Sequence, residues 1–377
     1  MIYLDNAATS FPKPEETISA VHDFLTRLGG NPGRGGHTLS VDAARLVFEA
    51  REKLTSFING KLSERLIFTQ NGTESLNLAI LGLIGKKDHV VTTTLEHNSV
   101  MRPLDFLIRT RDVDVSAVPC PASGDLDLKM LARAVKRRTR AVIINHGSNV
   151  IGKVQPLRDI RDAIGDKLLI VDACQTIGNV PVDVQKDAID IVCFSCHKAL
   201  FGIQGLGALY MREGLEPTPL KFGGTGSRSE YTEQPEALPD RYESGTPNTP
   251  AIAGLLGGLA FIEKVGRDAI AKRKTDAARK IAEGLHRMDH VTVYGEPLKD
   301  GCLPVILMNR DGLEPSDVGY ACNRAGICVR VGLHCSPVAH RTVGTFPRGA
   351  VRISPGYFTD DGQIERLLEV IAGLDGR

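Results

Sequence analysis

Seven short apolar runs, each bounded by a helical pattern or a turn, constrain this chain more than any other feature. "RLIFT" (65–69), "HVVTTT" (89–94), "DVDVSAVP" (112–119), "RAVIINH" (140–146), "KLLIVDA" (167–173), "DIVCFS" (190–195) and "GALYM" (207–211) have strand composition. Helical patterns fall at 40–58, 73–84, 125–137, 156–165 and 250–265. Strands buried on both faces and joined by helices predict an α/β fold with a mostly parallel sheet. The helix over 40–58 is expected to open with Ser40 as its N-cap and to carry its apolar face on Val41, Ala44, Val47 and Phe48.

Between 212 and 250 the pattern lapses. The stretch "FGGTGSRSEYTEQPEALPDRYESGTPNTP" is rich in Gly, Pro, Ser and Thr and reads as a long ordered loop, and such loops are usually functional. A helix-rich segment at 250–290 follows, with strands near 291–294, 303–308, 327–331 and 350–354. The expected organisation is a large domain over 15–250 and a smaller α+β domain built from 1–14 and 251–377.

Charge excludes one class of partner. Lys+Arg 46 against Asp+Glu 45 leaves a net charge of +1, without the electrostatic footprint of a nucleic-acid binder. The opening "MIYLDNAATS" has no basic segment and no apolar core of a signal peptide, and no apolar run is long enough to span a membrane. The expectation is a cytoplasmic protein whose 8 cysteines are reduced thiols.

The segment "CFSCHKALFGIQGLG" (193–207) invites three chemistries. A metal site on Cys193 and Cys196 is disfavoured, because residues three apart on a strand point to opposite faces and no second ligand pair is near. The glycines Gly202, Gly205 and Gly207 resemble a dinucleotide fingerprint, but another strand follows them where that fingerprint needs a helix. They fit a turn that lays one strand beside the next. Lys198 remains, an amine after a buried strand that could hold an aldehyde cofactor as a Schiff base. Pyridoxal phosphate would also need a carboxylate for its ring nitrogen and donors for its phosphate. Asp172, ending a strand in "VDACQTIG", could supply the first, although the local sequence also lets it cap the next helix. Gly72-Thr73 in "TQNGTESLN", at a strand-to-helix junction, could supply the second together with Ser195 and His197; alone, "GTES" also reads as an ordinary capped helix start.

With these residues in place the chain resembles the cysteine desulfurases of the class V aminotransferase group, on the fold of aspartate aminotransferase (fold type I). The matching stretches are "YLDNAATSFPKP" (3–14), "GGHTLS" (35–40), "TQNGTESLN" (69–77), "LEHNS" (95–99), "NHGSNVIGKVQP" (145–156), "VDACQTIG" (171–178), "SCHKALFGIQGLGALY" (195–210), "ESGTPNTPAIAGL" (243–255), "RVGLHCSP" (330–337) and "VRISPGYF" (351–358), in the family's order. The resemblance implies that Lys198 carries pyridoxal 5'-phosphate and that Asp172 pairs its pyridine nitrogen. It implies that His97 stacks on the ring and assists proton transfer. Gln175 would bond the phenolic oxygen, and Thr73, Ser195 and His197 the phosphate. Thr246 would bind the phosphate of a neighbouring subunit, which implies a homodimer with shared sites. Asn149 and Arg352 would hold the amino-acid end of the substrate, an arginine fork suiting a carboxylate. His37 matches a family histidine near the substrate channel and Arg34 would line the same loop, or both are surface residues.

Cys335 in "RVGLHCSP" separates desulfuration from transamination. In the family the matching cysteine attacks the substrate sulfur, leaving alanine and a persulfide for a sulfur-acceptor protein. The attack needs a thiolate, which Arg330 and His334 could favour as cations. L-selenocysteine needs nearly the same residues as L-cysteine. The alternatives within the fold are a selenocysteine lyase, an aminotransferase or another lyase, and outside it a non-catalytic thiol or metal-binding protein. Two departures stand out. Gly202-Ile203-Gln204-Gly205 replaces the Gly-Pro of many relatives, and the compact "RVGLHCSPVAHRT" resembles the short cysteine loop of one desulfurase group.

Overall fold

The computed structural model describes residues 1–33, 35–228, 230–299 and 301–374; Arg34 lies outside the described residues. Among them the strands are β1 (Ile2–Tyr3), β2 (Leu66–Thr69), β3 (His89–Thr93), β4 (Asp114–Val118), β5 (Thr139–Asn145), β6 (Leu168–Asp172), β7 (Ile191–Ser195), β8 (Gly207–Met211), β9 (Val291–Tyr294), β10 (Ile306–Arg310), β11 (Ile327–Cys328), β12 (Arg330–Gly332) and β13 (Ala350–Ile353). The seven apolar runs become β2 to β8 and join one sheet in the order β2-β8-β7-β6-β5-β3-β4. Only β8 runs antiparallel to its neighbours β2 and β7.

Period-2 alternation divides this sheet between two cores. Val142, Ile144, Leu169, Val171, Val192 and Phe194 face one, and Ala141, Ile143, Leu168, Ile170, Ile191 and Cys193 the other. Cys196 belongs to the first core, so Cys193 and Cys196 lie on opposite sides. The glycines after Lys198 form the turn into β8, with Gly205 at φ +87°. A side chain at Gly207 would come within 2.4 Å of the Asn71 carbonyl carbon. Only glycine lets β8 approach the loop that opens the helix Gly72–Leu83.

One expected helix face is wrong. The helix begins at Thr38, and His37 is its N-cap, its ring accepting from Ser40 N at 3.3 Å. Ser40 is buried in the first turn, where its hydroxyl donates to Asn31 O. The buried face runs through Ala43, Ala50 and Leu54 against the helix Thr249–Val265, while Val41 and Phe48 are 43% and 57% exposed. Ala43 and Ala50 face that helix, and of the expected face Val47 is half-buried against the large core. The helix at 125–137 shrinks to Leu128–Ala134, capped by Asp127. A further helix, Asn98–Arg111, carries Pro103 inside it, which obscures its pattern in the sequence.

The second sheet, β12-β13-β10-β9, is antiparallel. The N-terminal segment is stitched beside it by β1 pairing with β11 and by a bridge between Asp5 and Ser354. Ala251, Ile252, Leu255, Leu259 and Ile262 belong to the core of the large sheet. No helix among the described residues is long and apolar enough to cross a membrane.

Candidate active site

The carboxyl ends of β5, β6 and β7 open into a cavity of about 220 Å³, the crevice position expected in an open α/β sheet. Asp172 ends β6 between Asn145 of β5 and Cys193 of β7, held in register on both sides. It is buried, and its Oδ1 accepts from Cys174 N at 2.9 Å. Lys198, in the turn after β7, lines the same cavity; its carbonyl accepts from Phe201 N at 3.0 Å, while its Nζ has no hydrogen bond or ion pair among the described residues.

Beside them lies a cradle of donors. Asn71 caps the helix Gly72–Leu83 by accepting from Glu74 N at 2.9 Å. Gly72 N donates to Ser195 Oγ at 3.2 Å, and a Cβ on Gly72 would reach Cys174 Sγ at 2.4 Å and Ser195 Oγ at 2.8 Å. The helix therefore starts as close to β7 as a backbone can. Thr73 Oγ1 is 2.8 Å from Ser99 Oγ. His197 Nδ1 is buried with no partner, and burial pushes its imidazole down to about 4.

His97 caps the helix Asn98–Arg111, its Nδ1 accepting from Ser99 N at 3.1 Å. That leaves the ring proton on Nε2. Burial lowers its pKa, with Asp172 opposing and Lys198 adding to the fall, so the ring is neutral at physiological pH. Gln175 Nε2 donates to Ala7 O at 2.9 Å and keeps a second N–H uncommitted.

The opposite wall comes from the small sheet. Arg352 on β13 is 3% exposed; its Nη2 donates to Asp5 Oδ1 at 2.8 Å and its Nη1 to Asn149 O at 3.1 Å, while Nε is buried without a partner. Residues 333–336 connect β12 to the helix Pro337–Thr342 and carry Cys335, which is exposed. His334 and Cys335 both have positive φ, +48° and +58°, a left-handed geometry costing about 1–2 kcal/mol per residue. Hydrogen bonds hold it there. Asn149 Nδ2 donates to His334 O at 2.8 Å, Ser336 Oγ to Asn149 Oδ1 at 2.9 Å, and Asn98 N to Cys335 O at 2.8 Å. The cysteine loop is thus short and pinned.

The cavity brings together Lys198, Asp172, His97, Gln175, Thr73, Ser195, His197, Asn149, Arg330, Arg352 and Cys335. It does not include His37, which is spent as a helix cap, nor Thr246, which lies in a separate groove with His197 and Asn248. His334 cannot act as a cation beside Cys335. Burial pushes it down to about 3, and its Nδ1 meets His340 Nε2 at 2.9 Å. The sequence reading did not assign Asn71, Ser99 or Asn145, all of which line the cavity. Asn145 stood at the carboxyl end of a legible strand, which was the available signal. Glu96, beneath His97, is fully buried; its Oε1 accepts from Thr93 Oγ1 and Asn145 N, its Oε2 has no partner, and burial pushes its carboxyl up to about 8.

Comparison with known proteins adds the following. The family model Aminotransferase class-V matches residues 2–367. A probable cysteine desulfurase of Pyrococcus abyssi is 34% identical over 99% of this chain and 94% of its own length. A cysteine desulfurase of Pectobacterium atrosepticum is 30% identical over 99% and 92%. Among solved structures, the apo cysteine desulfurase of Thermococcus onnurineus superposes with a TM-score of 0.88 at 29% identity, covering 98% of this chain and 94% of that one. With a fold-type-I architecture and a lysine–aspartate pair at the end of its sheet, the chain belongs to the aminotransferase class-V family.

Proposed function

We propose that this protein is a pyridoxal-phosphate-dependent cysteine desulfurase that converts L-cysteine to L-alanine and takes the sulfur as a persulfide on Cys335. One observation carries the reading: Lys198, Asp172 and Cys335 line a single cavity, with Arg352 beside the cysteine. The relatives named cysteine desulfurase support the substrate.

The residues fit the cofactor. The partnerless Lys198, the orphaned His197 Nδ1 and a Gly72 cradle that a Cβ would fill form a donor set suited to a phosphorylated aldehyde. Thr73, Ser195, Gly72 N and His197 would hold its phosphate, Gln175 its phenolic oxygen and Asp172 its ring nitrogen. When bound, the group supplies an electron sink for the pair released at the substrate Cα. Lys198 Nζ is the base placed to move the Cα proton, and the Nε2 proton of His97 serves the substrate's amino end. Arg352 and Asn149 hold the carboxylate. The net exchange balances: the Cβ–S bond of cysteine breaks, an S–S bond forms at Cys335, and Cβ gains the proton that the Cys335 thiol gives up.

The reading extends to a homodimer. Thr246 lies outside its own cavity and is exposed, as a ligand offered to a second copy would be. Exposed Leu25, Val41 and Phe48 supply apolar surface for such a contact. The short Cys335 loop has little reach, which favours a dedicated sulfur-acceptor protein that comes to the cysteine. Selenocysteine would fit the same groups, and a cytoplasmic location suits a reactive free thiol. The test is product analysis. Purified protein given pyridoxal phosphate and L-cysteine under reductant forms alanine and sulfide, whereas a keto acid in place of alanine would make it an aminotransferase.

A further inference from the structure

Arg352 does not face the cavity as a bare fork. It stands directly across β12–β13 from Arg330, so two guanidiniums share one face of the small sheet, and like charges placed opposite one another are destabilising. Asp5 sits between them. Its Oδ1 accepts from Arg352 Nη2 at 2.8 Å, and its Oδ2 lies 3.9 Å from Arg330 Nη1. The N-terminal segment is fixed in that place by the Asp5–Ser354 bridge and by Ala7 N donating to Ser354 Oγ at 2.9 Å. Arg330 also begins β12, the strand that runs into the Cys335 loop, and both line the cavity. Two guanidiniums and one carboxylate leave one net positive charge at this wall, which matches one substrate carboxylate.

We propose that Asp5 is a specificity-determining positioning residue: it neutralises one guanidinium of the Arg330–Arg352 pair and so favours amino acids with a single anionic group over those with a second anion on the side chain. This rests on the assignment of Arg352 to the substrate carboxylate. In wild type, a second anion beside Cys335 meets an Arg330 already facing Asp5. Without the Asp5 charge, Arg330 becomes an uncompensated cation next to the substrate's side-chain end.

The experiment compares kcat/KM for L-cysteine and L-cysteine sulfinate in the cofactor-loaded wild type and in Asp5→Asn, Asp5→Glu and Arg330→Gln. In parallel, titration calorimetry measures the binding of two unreactive acids, succinate as the dianion and propionate as the monoanion. Asp5→Asn is expected to raise the dianion-to-monoanion ratio about tenfold in both assays, the scale of one charge at a partly wet site. Asp5→Glu restores the wild-type ratio, and Arg330→Gln lowers it. Because Arg330→Gln leaves the N-terminal segment intact, it tests the idea even where Asp5→Asn folds poorly. Equal changes for mono- and dianions, or an unchanged ratio in Arg330→Gln, would reduce Asp5 to an anchor of the N-terminus and overturn the proposal. Should the wild type form no alanine from cysteine, the desulfurase reading fails, while the succinate-to-propionate ratio still decides the role of Asp5.

Discussion

At the Lys198 end of the cavity the functional groups stand on or just after strand ends of a buried parallel sheet, and Lys198 Nζ and His197 Nδ1 are without partners among the described residues. At the Cys335 end they are already bonded to one another, through Asp5, Asn149, Arg352, His334 and Ser336. The first end waits for a group that completes it. The second is largely bonded beforehand, with Arg352 Nε its one buried atom still open, and holds a strained cysteine turn in a fixed place. The open groups at the first end suit a cofactor that would complete them, and the bonded network at the second suits a site whose geometry must be exact before substrate arrives.

Substitutions at the two ends should fail differently. The largest effect is expected for Lys198→Ala, which loses the visible absorbance of the bound cofactor and lowers alanine formation by at least about 10³-fold. Cys335→Ala breaks the other end alone: the cofactor absorbance stays, and alanine formed from cysteine falls by about 10²-fold in a product assay. Loss of absorbance in Cys335→Ala would erase the distinction between the ends.

Ser336→Ala sharpens the comparison further. It removes the hydroxyl that donates to Asn149, a bond contributing about 1 kcal/mol. The expected result is a kcat/KM lowered about fivefold with the cofactor absorbance unchanged. An unaffected kcat/KM would mean that the cysteine turn does not depend on this pinning.

The smallest effect on activity, but a distinct one on stability, is expected at Glu96. Burial raises its carboxyl from the usual 4.5 to about 8 in the folded protein. Between these values the folded chain keeps a proton that the unfolded chain releases, so this group's contribution falls as pH rises and is flat above about 8. The slope is at most about 1.4 kcal/mol per pH unit. Glu96→Gln, a neutral isostere, should therefore gain stability relative to wild type as pH climbs, which denaturant melts at several pH values would show. Parallel curves would mean that Glu96 is ionised in the fold.

Much of the cofactor end was legible in the sequence because it depends on local order. The strands ending at Asp172 and Ser195 are continuous apolar runs, and Lys198 follows one of them within three residues. The substrate end was legible only through resemblance. Asp5 and Arg352 meet across the whole length of the chain, and no pattern of neighbours encodes that contact. Adjacency misled at His334, which looked like a cation for Cys335 until its burial against His340 made it neutral. The helix Thr38–Phe57 misled for a related reason: packing against the helix Thr249–Val265 buries Ala43, Ala50 and Leu54 and leaves Val41 and Phe48 exposed, a choice that local periodicity does not encode.

The central claim is that sulfur leaves cysteine onto Cys335. After limited turnover with L-cysteine in the absence of reductant, the protein would be alkylated, digested and its thiol peptides measured by mass spectrometry. The account predicts one additional sulfur atom on the Cys335 peptide, in proportion to the alanine formed. Alanine produced while Cys335 stays unmodified, or sulfur found on Cys174 instead, would contradict it.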